Sequence, residues 1–430
     1  MSCNIPETGQ KRVVIAGAGF AGLKLAGKLI ASDFQVVLLD RNNYHQFQPL
    51  FYQVATAGLE PSAISFPLRK IFQHAKNTLI RVTEIESVDL DNMLVVTSLG
   101  TINYDYLVIA TGASTNFFGM QQVRDHAIPM KSVSEALSLR NHVLQNFEDA
   151  LTCPDPALVD SLLSVVVVGG GPTGVEVSGT LAEMRKYILP KDYPELDFKM
   201  MHIHLIEAGS RLLNGMSDKS SEKAFKYLQK LGVMVRLNAQ VSDYDGEIVT
   251  IHDGSRIATR TLVWAAGVSG NMIRGLPSDL FIRGNRIKVD QFNRVEGTTN
   301  VFAIGDISIM KVSGYQSGHP QMAQPAIQQA TLLAKNLLRI ERGLPLKEFK
   351  YRNKGSMATV GRNLAVVDLP FIHFQGFIAW LTWMFVHLMA IVGVKNRLLI
   401  FINWFWNYIT YDQSLRLIIK PFRKGNDRSL

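Results

Sequence analysis

Twice in this chain a run of β-branched residues ends in a glycine turn of spacing G-x-G-x-x-G and passes straight into a helical stretch, a pattern that few folds accommodate. Arg12 to Ala16 (RVVIA) meets Gly17, Gly19 and Gly22; a helix is predicted from Ala21 to Ala31, and a second strand from Gln35 to Leu39 closes on Asp40. The same grammar returns 152 residues later. Ser164 to Val168 (SVVVV) runs into Gly169, Gly171 and Gly174, a helix is predicted from Thr173 to Tyr187, and His202 to Ile206 closes on Glu207. Each is a βαβ unit. The first glycine allows a tight turn, the second lets backbone approach a pyrophosphate, and the third lets helix pack closely on strand, while helix N-terminal amides stabilise the anion. The closing acid is placed to accept hydrogen bonds from a ribose. Asp40 follows Gly17 by 23 residues, whereas Glu207 follows Gly169 by 38. The surplus falls in Arg185 to Met200, which with Pro190 and Pro194 reads as a surface insertion.

Further apolar strands are predicted at Tyr106 to Ala110, stopping at Thr111-Gly112, and at Leu262 to Ala266, stopping at Gly267. A third, Val301 to Ile304, ends in Gly305-Asp306, a carboxylate placed for a ribityl or pyrophosphate group. Gln321 to Leu338 reads as a long helix and Gly355 to Val367 as a strand pair, with the soluble fold expected to end near Leu369. Hydrophobic residues form 47% of the chain and charged ones 19%, which excludes a disordered chain or a polytopic transporter. Cys3 and Cys153 are too few for a disulfide framework or a Cys-rich metal centre, and no metal is expected. The polar N-terminus lacks a signal-peptide core, so export is not expected.

Two dinucleotide units imply a resident redox cofactor and an exchanging reductant, so FAD is expected first and NADH second. An acid at the ribose disfavours a 2′-phosphate, although Arg211 is near enough in sequence to shelter one. The expected fold class is α/β, with two Rossmann-like dinucleotide-binding domains and a C-terminal amphipathic helical membrane-anchoring region. Residues 1–125 and 286–368 are assigned to the FAD domain, 126–285 to the NADH domain and 369–430 to the anchor.

The stretches GAGFAG, YLVIATG, GGGPTGVE and FAIGD resemble the two-dinucleotide-fold flavoprotein disulfide reductases over residues 12 to about 340. The stretch RNNYHQFQPLFYQVATAG lacks the cysteine pair of disulfide-reducing members, and Cys153 alone is a poor match to the sulfide:quinone oxidoreductases. His45 to Gly58, Ala323 to Ala330 (AQPAIQQA) and the basic C-terminus resemble the type II NADH:quinone oxidoreductases. That resemblance implies hydride transfer from NADH to bound FAD, then two electrons to a membrane quinone. It implies Gln324 and Gln328 beside the flavin as part of the quinone pocket, and Glu176 near flavin and nicotinamide, orienting the carboxamide or relaying a proton. The implied cofactor-binding set adds Phe20, Ala21, Arg41, Thr111, Gly112, Pro172, Thr173, Gly267 and Ala323 to the glycines, Asp40, Glu207, Gly305 and Asp306. Plainer readings stand beside these. AQPAIQQA also reads as a solvated polar helix start, Glu183 as a solvated mid-helix acid, and Tyr44 and His45 as packing residues. A family lysine near the quinone pocket has no matching position. The alternative function is a soluble flavin-dependent reductase of an electron-carrier protein such as ferredoxin.

Leu369 to Val394 holds 26 residues without Asp, Glu, Lys or Arg, long enough for a bilayer core but interrupted by Pro370, His373, Gln375, Gly376 and His387. Leu398 to Tyr411 is too short to span. Asn396, Asn403, Asn407, Thr410 and Ser414 form one polar stripe on a helix otherwise rich in Trp, Phe and Ile, which predicts a helix lying in the interface. Trp380, Trp383, Trp404 and Trp406 are expected at headgroup depth. From Lys395 onward seven basic residues face two acids, out of a net charge of +9 for the chain, which favours an anionic lipid surface over nucleic acid. A core helix pair or dimer interface is the plainer reading. The expected location is the cytoplasmic face of the inner membrane, peripheral or monotopic, and the resemblance suits a homodimer assembled through this region.

Overall fold

The computed structural model describes residues 3–410 and 415–419. In chain order the elements used below begin with β1 (Arg12–Ala16), α1 (Phe20–Leu29), β2 (Gln35–Asp40), α2 (Phe51–Ala55), β3 (Thr78–Val82) and β4 (Tyr106–Ile109). They continue with β5 (Ile128–Pro129), α3 (Val133–Thr152), β6 (Val165–Val168), α4 (Pro172–Tyr187), β7 (Ile203–Ile206), α5 (Asp218–Lys230), β8 (Met234–Arg236) and β9 (Thr261–Trp264). Then come β10 (Val301–Ala303), α6 (Ala323–Glu341), β11 (Ser356–Gly361), β12 (Leu364–Asp368), β13 (His373–Gln375), α7 (Phe377–Ala390) and α8 (Val394–Thr410).

The chain divides into two compact units. The first takes the chain through Gln46, then Ser65–Ser114 and Val268–Lys354; the second takes Phe47–Ile64, Thr115–Gly267 and the chain from Gly355 onward. These bounds differ from the sequence-based ones chiefly at 268–285, which joins the first unit, and at 47–64 and 355–368, which join the second. The reason for the last is visible at Gly179 of α4. A Cβ there would lie 1.6 Å from the Val360 carbonyl oxygen, so β11 packs directly on the second glycine-loop helix.

In the first unit a parallel sheet runs β10-β4-β1-β2-β3, with Val13 opposite Val36 on one side and Tyr106 on the other. In the second the order is β5-β9-β6-β7-β8, with Val165 opposite Ile203 and Thr261. The central strands β1, β4, β6, β7 and β9 are buried along their whole length. Burial on both faces is why they read as unbroken apolar runs rather than alternating ones. In the first unit α1 and α6 cover one face with Leu25, Leu29, Leu333 and Leu337.

Three expectations at the C-terminal end are corrected. The strand pair is a three-stranded antiparallel sheet, because His373–Gln375 pairs with β12 and the His373 imidazole bonds the Asp368 carboxylate at 2.9 Å. The fold therefore continues past Leu369. The 26-residue apolar run is not one helix: Gly376 at φ 84° separates β13 from α7, which has 14 residues. Among the described residues no helix is long and apolar enough to cross a membrane.

Candidate active site

Each glycine turn is a cradle built to admit an anion. Gly17 has φ 109°, and a Cβ there would strike the Ala110 carbonyl oxygen at 2.4 Å, next to Thr111. Gly22 lies so close beneath that its Cβ would meet the Gly17 oxygen at 1.8 Å. Gly19, the N-cap of α1, faces open space with no atom within 4 Å of a built Cβ. The second cradle repeats this. Gly169 has φ 108° and abuts Ala265 at 2.7 Å, Gly174 abuts the Gly169 oxygen at 1.9 Å, and Gly171 is open. Pro172 follows as the first residue of α4, where its missing N–H costs nothing, with Thr173 in the same first turn. An open glycine with uncapped helix amides around it fits a pyrophosphate in both places.

The two closing acids bind their own loops in the same manner. Asp40 accepts the Ala18 amide at 2.7 Å and the Asn42 amide at 2.7 Å; Glu207 accepts the Gly170 amide at 2.5 Å and the Gly209 amide at 2.6 Å. Burial raises the Asp40 carboxyl above its ordinary value, opposed by those two amides and by Arg41. In the first unit Gly305, at φ 78°, sits between Ala21 of α1 and Ala326 of α6, and its amide donates to Gln329 at 2.8 Å. Thus Phe20, Ala21, Gly305, Asp306 and Ala323 gather where two helix N-termini meet. Thr111 is held by Asn271, whose side-chain amide donates to its carbonyl at 2.8 Å, and Gly112 is open at φ 69°. His45 is a packing residue: its ring lies against Phe20 and Phe66, and its Nδ1 bonds the Ala18 carbonyl at 3.0 Å. In the second unit Gly267, at φ 76°, lies against the Phe118 ring.

Gln324 and Gln328 are half-buried and hold backbone. Gln328 donates to the Arg352 carbonyl and accepts the Arg352 amide, both at 3.0 Å, while Gln324 accepts the Lys354 amide at 3.2 Å. They pin the 352–354 segment along α6.

Glu176 is buried on α4, and its Oε1 is 3.5 Å from the Thr359 amide. Burial pushes its carboxyl up to about 8, opposed by that amide and by the nearby Trp383 indole. Glu183, two turns later, is partly buried rather than solvated. It accepts the Arg362 amide at 2.5 Å, and burial raises it to about 7 against the pull of Arg362. Glu183 opens onto a cavity of ≈ 130 Å³ whose wall includes Tyr52, Thr180, Thr359, Trp383, Trp404 and Tyr408. Its aromatic lining comes from α2, α4, α7 and α8. Trp383 is 1% exposed and Trp404 7%, so two of the four tryptophans expected at headgroup depth are interior instead. The Trp404 indole donates to Gln53 at 2.7 Å, and Asn407 donates to the Gly58 carbonyl at 3.3 Å. Of the polar stripe of α8, Asn407 therefore faces protein and satisfies the loop after α2, while Asn396 and Thr410 bond the Val392 and Trp406 carbonyls. Ser414, Asp412, Lys420, Arg423, Lys424, Asp427 and Arg428 lie outside the described residues.

Glu183, Tyr52, Arg362 and the two buried tryptophans are the residues that sequence reasoning missed. A spacing of seven puts Glu176 and Glu183 on one helical face, a signal present in the sequence. The partners on β11, α2 and α7 are distant in the chain and leave no such trace.

Residues 11–330 match the pyridine nucleotide-disulphide oxidoreductase family and 353–410 the NDH2 C-terminal domain. The chain is 36% identical to a type II NADH:quinone oxidoreductase of Mycobacterium tuberculosis, covering 91% of this chain and 87% of that one. It is 30% identical to one from Haemophilus influenzae over 84% and 87%. A solved NDH2 structure from Plasmodium falciparum, in complex with NADH, shares the fold at a TM-score of 0.87 and 22% identity, covering 96% of this chain and 100% of that one. The chain belongs to the pyridine nucleotide-disulphide oxidoreductase family and, within it, to the type II NADH:quinone oxidoreductases.

Proposed function

We propose that the chain oxidises NADH and reduces a membrane quinone, with FAD held in the first unit and NADH exchanging in the second. The observation that carries the quinone assignment is the aromatic cavity of the second unit, walled by helices whose opposite faces are apolar and exposed. An apolar substrate dissolved in lipid fits that cavity, and a carrier-protein acceptor would leave the apolar face unexplained.

Gly17, Gly19, Gly22, Asp40, Thr111, Gly112, Gly305, Asp306 and Ala323, with Phe20, Ala21 and Arg41, hold the FAD. When bound, FAD supplies two-electron exchange between a hydride donor and a quinone. Gly169, Gly171, Pro172, Thr173, Gly174, Glu207 and Gly267 hold NADH, and the Glu207 carboxylate disfavours a 2′-phosphate. Glu176 keeps a proton near neutral pH for a reacting oxygen. Gln324 and Gln328 act by positioning, since their amides already hold backbone.

The exposed side chains of α7 and α8, among them Ile378, Leu381, Phe385, Leu398, Phe401, Phe405 and Ile409, form a face for an anionic lipid surface. Attachment is monotopic, on the cytoplasmic face of the inner membrane, and the same region supports a homodimer. Protein purified in detergent is expected to carry a flavin spectrum that bleaches with NADH and recovers with a short-chain quinone. Colourless protein, or bleached protein that quinone leaves reduced, overturns the reading. Truncation at Leu369 is the wrong control, because it removes Trp383 and Trp404 from the cavity wall.

A further inference from the structure

Reducing a quinone to a quinol consumes two electrons and two protons. NADH supplies both electrons but a single hydrogen, so the balance is NADH + H⁺ + quinone → NAD⁺ + quinol. The second proton must come from solvent to a site that excludes water. Glu176 is buried and does not line the cavity; Glu183 lines it. On α4 the two stand seven residues apart, about 10.5 Å along the axis at 1.5 Å per residue. The Tyr52 hydroxyl, held by the Gln53 side chain at 2.8 Å, feels the charge of both carboxylates. It lines the same cavity as Glu183.

We propose that Glu183 is the residue through which protons from the cavity reach Glu176, by way of cavity water and the Tyr52 hydroxyl, a role that rests on the quinone-reducing function above. In each turnover the quinone ring passes inward beyond the cavity wall, and the Glu176 carboxyl gives its proton to a quinone oxygen and becomes a carboxylate. Once the quinol has left, that carboxylate is refilled by a proton leaving the Glu183 carboxyl, and Glu183 takes one from the water that re-enters the cavity. The electron pair comes from NADH with the other hydrogen.

Near neutral pH Glu183 is poised between its two forms, and burial raises the deeper Glu176 as well, so both carboxyls hold protons in the same range. The titratable groups around Glu183 are few. Tyr52 stands on α2, Tyr187 on α4 itself and Tyr408 on α8, with the Arg362 guanidinium stacked over the Tyr408 ring at 4.0 Å. On α7, His387 stacks on Trp383 and is held neutral by burial. Among the described residues Arg362 is the one fixed cation in the wall, and it keeps Glu183 from rising further.

Glu183→Gln keeps the shape and still accepts the Arg362 amide. Full-length E183Q is assayed with NADH against a short-chain quinone and against ferricyanide, which takes electrons without protons. The ratio of quinone to ferricyanide kcat is expected to fall by about tenfold or more, deepest below pH 7, where the wild-type carboxyl carries its proton. The limb of the wild-type profile near pH 7 should vanish, and Glu183→Asp should restore part of the rate. A second readout needs no turnover: an infrared carboxyl band titrating near pH 7 in the wild type should be missing from E183Q. An unchanged ratio with an unchanged profile, or no such band in the wild type, overturns the relay. Wild type that bleaches with NADH but never reduces quinone overturns the function itself, and the relay with it.

Discussion

Glu176 and Glu183 take their amide partners from one short piece of backbone, Thr359 for the first at 3.5 Å and Arg362 for the second at 2.5 Å. The end of β11 therefore sets the spacing of the two acids as firmly as α4 does. A packed strand end moves little, so both carboxyls keep their burial.

That burial makes stability depend on pH. The Glu176 carboxyl is raised from 4.5 to about 8 in the folded chain. Between those values the folded state binds the extra proton, so its contribution is complete below pH 4.5 and is lost as pH rises through about 8. A shift of that size corresponds to on the order of 4 kcal/mol. Denaturant melts of wild type should weaken from pH 5 to pH 8.5 by at least that order, and E176Q should remove the Glu176 share while leaving that of Glu183, which burial raises to about 7.

The cradles separate folding from binding. A Cβ on Gly22 lies 1.8 Å from the Gly17 oxygen, so Gly22→Ala must distort the turn and should give unstable, flavin-free protein. Gly19 and Gly171 face open space, so alanine there leaves the fold intact and obstructs only a ligand. G19A should melt near the wild-type temperature with little bound flavin. G171A should keep flavin and raise the KM for NADH by about tenfold, a cost of about 1.4 kcal/mol. Flavin lost from G171A rather than G19A would reverse the cofactor assignment.

The apolar face is testable without touching the cavity. Phe401, Phe405 and Ile409 are each more than half exposed, whereas Trp404 between them is buried. Serine at the three should abolish flotation with anionic vesicles while leaving the unfolding midpoint and detergent-assayed turnover unchanged. Unaltered flotation would mean that another surface carries the membrane.

Trp404 joins α8 to α2 through Gln53. Trp404→Phe keeps most of the packing but orphans the Gln53 carbonyl, which should cost about 1–2 kcal/mol in chemical unfolding. Because both residues line the cavity, the KM for quinone should rise while that for NADH stays.

Both Rossmann units are legible in the sequence because their requirements are local. A turn at positive φ, a helix start that meets an anion and a strand buried on both faces each impose residue types at short, set spacings, as Gly17, Gly19, Gly22 and Asp40 display. The C-terminal region is legible only as composition. Its tryptophans and asparagines announce an amphipathic helix, yet Asn407 turns toward the Gly58 carbonyl and two tryptophans turn inward.

The chain by itself determined the two nucleotide cradles, their acids and the family, since those depend on neighbours within some forty residues. Only the tertiary structure decided that Glu183 opens on a cavity, that Gln324 and Gln328 are tied to backbone, and that the outward side of α8 is the apolar one. Such choices follow from which loop carbonyls and indole N–H groups need partners once distant segments meet. Periodicity along one helix marks its two faces, but the packing partner settles which of them is inside.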